Sequence, residues 1–101
     1  MPFGDFVNSI PPVGFLAVHL MLFLAGSYFA WRSFLAGAST LGLGFAFFAV
    51  AEISYMTYHL NWTTFLFAHT ISEVLNLVAF SLIFVAATRT ILDRSTAGAR
   101  A

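Results

Sequence analysis

Three long apolar runs, separated by short polar turns, dominate the chain. They cover about residues 12–31, 34–59 and 62–91, and a helix needs about 20 apolar residues to cross the hydrocarbon core of a bilayer. Because the turns between the runs are so short, consecutive helices must run antiparallel. The pattern therefore predicts an all-α integral membrane protein. We expect one transmembrane domain over residues 1–101, folded as a three-helix antiparallel bundle.

Composition supports the membrane prediction and excludes several functions. The chain is 60% hydrophobic and 8% charged, whereas soluble domains are about 45–50% apolar and about 25% charged. We therefore expect the lipid bilayer, together with other membrane subunits or further copies of the chain, to cover its surface. The net charge is zero and lysine is absent, which argues against a nucleic-acid partner. Cysteine is absent as well, which excludes thiolate catalysis and cysteine-ligated zinc.

The arginines predict the orientation of the helices. An odd number of spans places the first turn and the C-terminal tail on the same side of the membrane. All four basic residues fall on that side: Arg32, Arg89, Arg94 and Arg100. By the positive-inside rule the N-terminus lies outside and the C-terminus is cytoplasmic. We expect a multi-pass protein of the bacterial inner membrane.

Small residues recur along the first half of the second run. They form two stripes at four-residue spacing, Ala36, Thr40 and Gly44, and Ala38, Gly42 and Ala46. Small side chains at that spacing let helix backbones approach closely in lipid. Two stripes predict two neighbours for the second helix. Those neighbours are either the first and third helices of the same chain or helices of a partner, which we expect to dock on this half.

Four ionisable residues lie inside the predicted spans. His19, Glu52 and His69 are each seven residues from the predicted outer end of their helix, which places them roughly 10 Å deep at ~1.5 Å per residue. Glu73 follows His69 by four residues and therefore shares its helix face. Because ionisable groups are costly in the bilayer, they usually face protein and mark function. We expect both carboxyl groups to be buried against the two histidines.

Several kinds of chemistry fit this cluster. The carboxyl groups and histidines could simply hydrogen-bond between helices, or they could form a proton or ion pathway. Glu52, His69, Glu73 and His19 could bind a divalent metal, since histidine and carboxylate are suitable ligands. His19 or His69 could be the axial ligand of a haem or chlorophyll. The cluster could also contact a quinone, and the thirteen phenylalanines could either face lipid or bind a quinone, carotenoid or porphyrin.

The predicted function follows from these residues and from the catalytic motifs that the sequence lacks. The sequence shows no nucleotide-binding loop and no nucleophile beside a base, so we do not expect an enzyme. It predicts a small accessory or scaffolding subunit of a bacterial inner-membrane complex, concerned with electron transfer or light harvesting. The alternative is a homo-oligomeric small transporter or channel with a buried Glu/His proton or metal site.

The orientation can be tested by labelling a single introduced cysteine. An Asn61→Cys variant should react with a membrane-impermeant thiol reagent added from the periplasmic side, because the arginine count places that turn outside. Labelling that occurs only after the membrane is opened would refute the predicted orientation.

Overall fold

The computed structural model describes residues 3–100, and their side chains over residues 3–95. A short 3₁₀ helix, Asp5–Ser9, precedes three long helices: α1, Pro12–Leu35; α2, Ser39–His59; and α3, Phe65–Arg100. All three are long and apolar enough to cross a membrane. The described residues contain no strand, so the prediction of an all-α chain with three candidate spans is confirmed. The orientation and the choice of membrane stay predictions.

The first turn lies one helical turn later than the sequence predicted. Residues 32–33 belong to α1, because nothing there interrupts the helix. The chain reverses at Gly37, whose φ of 78° is in the left-handed region that glycine adopts without strain. The amides of Gly37 and Ala38 donate to the carbonyls of Phe34 and Ser33 at 3.1 and 2.9 Å. This is the Schellman pattern, which satisfies the last carbonyl groups of a helix.

The second turn ends α2 in the same way. Asn61 has a φ of 65°, and its amide donates to the carbonyl of Tyr58 at 3.0 Å while that of Trp62 donates to Thr57 at 2.9 Å. After this turn, α3 begins at Phe65. Since Asn61 has a backbone conformation that other residues adopt with strain, Trp62→Cys is the better variant for labelling this turn.

The three helices lie in a row with α2 in the middle. Helix α2 packs against α1 and against α3, whereas α1 and α3 do not pack on each other within the described residues. The bundle is therefore open, and both neighbours of α2 belong to its own chain. We call the two ends of the row the Gly37 end and the Asn61 end, after the turns that they contain.

Glycines mark the close contacts of α2 with both neighbours. A Cβ added to Gly26 of α1 would lie 2.8 Å from the ring of Phe48 on α2. A Cβ added to Gly44 would lie 2.7 Å from the Cγ1 atom of Ile83 and 3.0 Å from the carbonyl oxygen of Ala79, both on α3. Gly44 therefore lies where the backbones of α2 and α3 approach closely, as small residues allow, and Gly26 accommodates the ring of Phe48.

The two glycines of the predicted stripes serve the internal fold, whereas Ala36 and Ala38 precede α2. Gly42 and Gly44 are both buried, and the ring of Phe34 from α1 lies 2.7 Å from where a Cβ of Gly42 would be. The expectation that this half of α2 docks a partner is therefore wrong at these glycines, because α1 and α3 already cover them.

Small residues also make up the remaining interior. Among the described residues the buried apolar side chains are all alanines: Ala30, Ala49, Ala51, Ala68 and Ala79. Two hydroxyl groups tie α2 to α3 in opposite directions. Ser72 donates to the carbonyl of Ala51 at 3.0 Å, and Ser54 donates to the carbonyl of Ala68 at 3.1 Å. The large apolar side chains mostly point outward, where lipid or other proteins would cover them.

Alanine substitutions of the two α2 glycines should differ in effect. Gly44→Ala should destabilise the fold by about 1–2 kcal/mol, since its methyl group meets the backbone of α3 and overpacking outweighs the gain in helix propensity. Gly42→Ala should change stability by less than about 0.5 kcal/mol, because the half-exposed Phe34 ring can turn aside while alanine favours the helix. Unfolding by SDS in mixed micelles measures both. Equal losses would contradict the close α2–α3 contact.

Candidate functional site

A partly buried hydrogen bond joins α1 to α2 at the Asn61 end. The Nδ1 atom of His19 lies 2.5 Å from the Oε2 atom of Glu52, and Glu52 is only 4% exposed. A hydrogen bond between a histidine and a carboxylate is strong when it is charge-assisted, and it provides the partner that a buried carboxyl group requires. Glu52 therefore does contact one of the two histidines expected beside it, His19.

Four stacked rings extend this contact. Along the stack Phe15, His59, His19 and Tyr55 follow one another, with ring centroids 5.1, 5.4 and 4.9 Å apart and planes inclined by 4°, 23° and 17°. We call this stack the ring ladder. Phe15 and His19 are four residues apart on α1, as are Tyr55 and His59 on α2, so each pair shares a face. Because the helices are antiparallel, the two pairs interleave.

His69 of α3 connects to the ladder only through aromatic contacts. Its ring stacks on Phe65 at 5.2 Å, and Phe65 meets the edge of Tyr58 at 5.4 Å. Tyr58 in turn contacts His59 at 5.0 Å. Since α3 begins at Phe65, His69 lies only four residues into the helix, about 6 Å by the helical rise. It therefore lies closer to the helix end than the sequence predicted.

Glu73 has a different environment from Glu52. The hydroxyl group of Tyr55 donates to its Oε1 atom at 3.3 Å, but the residue is exposed. The expectation that Glu73 is buried within the chain is wrong. Its neighbour Ser72 faces α2, and one residue turns the next side chain by about 100° away from that contact. Asn76 lies on the adjacent side of α3, where its Oδ1 atom is buried with no partner among the described residues.

The predicted metal set does not come together in one chain. Within the described residues, no group of three or more histidine, aspartate or glutamate side chains could hold a metal ion. His19 does have one feature of a ligand. A carboxylate that holds one ring nitrogen commonly orients a histidine to bind a metal through the other nitrogen. Ligation of a metal, haem or chlorophyll by His19, or by His69, stays a prediction.

A cavity lies at the Gly37 end of the row. It has a volume of about 600 Å³ and is formed by the start of α2 and the last third of the α3 span. Residues 37–41 line one wall, and Ala86, Ala87, Arg89, Thr90, Ile91 and Asp93 line the other. Arg89 and Asp93 bring opposite charges, so the cavity has no single charge preference. It is separate from the histidines.

The His19–Glu52 contact can be tested by stability measurements. Glu52→Leu should destabilise the protein by about 1 kcal/mol, because it leaves a partly buried ring nitrogen without a partner. Glu52→Gln should cost less, since it keeps a carbonyl acceptor of the same shape. Adding His19→Phe to Glu52→Leu should recover part of the loss, as both polar partners are then gone. Equal effects of the leucine and glutamine variants in SDS unfolding would refute a stabilising hydrogen bond.

The chain matches no family model, and comparison with curated proteins and with solved structures finds no match.

Proposed function

We propose that the chain is a small accessory subunit that assembles with other transmembrane helices in a bacterial inner-membrane complex. The observation that carries this proposal is the exposure of Glu73 within an apolar span. It lies eight residues into α3, about 12 Å along the helix. Insertion scales assign about 2.5–3.5 kcal/mol to an acidic residue at the centre of a span. Protein that covers Glu73 removes part of this cost.

The shape of the chain also supports assembly. Helices α1 and α3 stand apart on either side of α2, which leaves room for another helix beside α2. Among the residues whose side chains are described, the buried ones are small apart from Glu52, while large apolar residues such as Leu66 and Leu77 are about 70% exposed. Lipid and partner helices can both cover such a surface. A carboxyl group and an exposed apolar face on the same helix favour a partner helix.

Electron transfer or light harvesting is the role that we propose for the complex. This step rests on His19, whose ring is held by Glu52 as an axial ligand is commonly held by a carboxylate. Haem, chlorophyll and quinone are the cofactors that intramembrane histidines and aromatic rings serve best. A visible absorption band in the purified complex that disappears in His19→Phe would assign the ligand. His69→Phe tests the second predicted ligand in the same way.

A homo-oligomeric transporter or channel is the second candidate. It is favoured by the arrangement of the two carboxyl groups. Glu52 forms a hydrogen bond with His19, and Glu73 forms one with Tyr55. The rings of His19 and Tyr55 are in contact, so the two acid groups belong to one linked set across all three helices. Groups of this kind exchange protons, and several copies around a pore would bring their exposed Glu73 residues together.

The assembly proposal predicts the behaviour of Glu73→Leu in native membranes. The wild-type chain, of 11.0 kDa, should migrate on blue-native gels within an assembly of several different subunits. Glu73→Leu should release a folded chain from it, because the polar contact with the partner is lost. Ile71→Leu is the matched control, since Ile71 is exposed on another side of α3 and the change is apolar for apolar.

Two results would contradict the proposal. If the wild-type chain migrates only as a small homo-oligomer, the transporter or channel becomes the better explanation. If Glu73→Leu leaves a large assembly intact, Glu73 does not contact the partner and its exposure no longer supports an accessory role.

A further inference from the structure

The walls of the cavity at the Gly37 end change from apolar to polar along the direction of the membrane normal. Helix α2 runs away from this end and α3 runs toward it, so residue number gives the relative depth on each wall. The deepest lining residue of α2 is Leu41, and the deepest of α3 are Ala86 and Ala87. Nearer the surface both walls carry polar side chains. The cavity therefore has an apolar floor on the side of the bilayer centre.

Two opposite charges line the α3 wall of the cavity in a fixed order. Arg89 and Asp93 are four residues apart, so they share one face of the helix and lie about 6 Å apart along its axis. Both are exposed, and the described part of the chain forms no ion pair other than that of His19 with Glu52. From the bilayer centre outward, the cavity thus presents an apolar wall, a positive charge and a negative charge.

We propose that this cavity binds one molecule of phosphatidylethanolamine from the adjacent leaflet. This lipid carries its groups in the complementary order: acyl chains, then a negatively charged phosphate, then a primary ammonium group on a short ethanolamine link. Its phosphate lies beside Arg89 and its ammonium group beside Asp93, while one acyl chain begins along the apolar floor. The cavity volume of about 600 Å³ is within the range of ~300–1,000 Å³ of small-molecule sites.

The polar side chains select this headgroup over other phospholipids. The guanidinium group of Arg89 can bind two phosphate oxygens at once, and the hydroxyl groups of Ser39 and Thr40 are further donors on the α2 wall. The carboxylate of Asp93 accepts hydrogen bonds from a primary ammonium group. The quaternary ammonium of choline has no N–H to donate, and phosphatidylglycerol brings no positive charge to Asp93 at all.

The order of the charges matters as well as their presence. An arginine and an aspartate in the reverse order would place the acid beside the phosphate, which repels it. On an isolated helix, an acid that precedes a base by four residues pairs better than the order found here. The order from Arg89 to Asp93 therefore fits a zwitterionic lipid better than it fits an ion pair within α3. This site is independent of the proposed accessory role and of the histidines.

Native mass spectrometry of the purified chain measures the selection directly. The protein in detergent micelles is titrated with phosphatidylethanolamine, phosphatidylcholine or phosphatidylglycerol that carry identical acyl chains, so the contribution of the chains cancels. Phosphatidylethanolamine should bind about three- to fivefold more tightly than phosphatidylglycerol, the size expected for an exposed ion pair. Glycerophosphoethanolamine, which has no acyl chains, should not displace the lipid, because the apolar floor contributes to binding.

Substitutions assign the selection to the two charged residues. Asp93→Asn should abolish the preference over phosphatidylglycerol, whereas Arg89→Gln should weaken the binding of all three lipids. Exchanging the charges, Arg89→Asp with Asp93→Arg, keeps the net charge and should remove the preference because the order is reversed. Arg94→Gln is the matched control, since Arg94 is exposed and does not line the cavity.

Three results would overturn the lipid site. The first is equal affinity of the wild-type chain for phosphatidylethanolamine and phosphatidylglycerol, a comparison that needs no variant to fold. The second is a preference that survives the charge exchange in a variant whose helical content, measured by circular dichroism, is unchanged. The third is displacement of the lipid by glycerophosphoethanolamine at equal concentration, which would make the ligand a soluble phosphate ester.

Discussion

The close approach of α2 to both neighbours is the constraint on which the structure depends. Lipid offers no hydrophobic contrast between helices, so packing distance and interhelical hydrogen bonds must hold them together. Gly44 lets α2 meet the backbone of α3, and Gly26 leaves space on α1 for the ring of Phe48 from α2. Ser72 and Ser54 reach carbonyl groups across the α2–α3 contact only because those two helices are that close. The same closeness brings the side chain of Glu52 to His19.

The sequence predicted the number, type and order of the helices because apolar length alone decides them. It places the first turn too early because Arg32 interrupts the apolar run, whereas the helix continues to Leu35 and the chain reverses where glycine adopts a positive φ at Gly37. Helix ends depend on the hydrogen bonds that cap the backbone, and a hydropathy pattern contains little information about where those bonds form. The orientation in the membrane depends on arginine counting alone.

Part of the candidate site was predictable from depth and part was not. Counting residues from the helix ends matched His19 with Glu52, because those two ends were placed correctly. The later start of α3 at Phe65 shifted His69 and Glu73 relative to α2, so Glu73 meets Tyr55 instead of a histidine. The ring ladder was not predicted. The signal for it was the four-residue spacing of Phe15 and His19, and of Tyr55 and His59, on two antiparallel helices.

The two membrane carboxyl groups differ because of the row arrangement. A central helix has neighbours on two sides and can bury an acid, and Glu52 of α2 is buried against α1. An edge helix has one neighbour, so a residue rotated away from it, such as Glu73 of α3, is left exposed. The contact of the His19 and Tyr55 rings links these two environments.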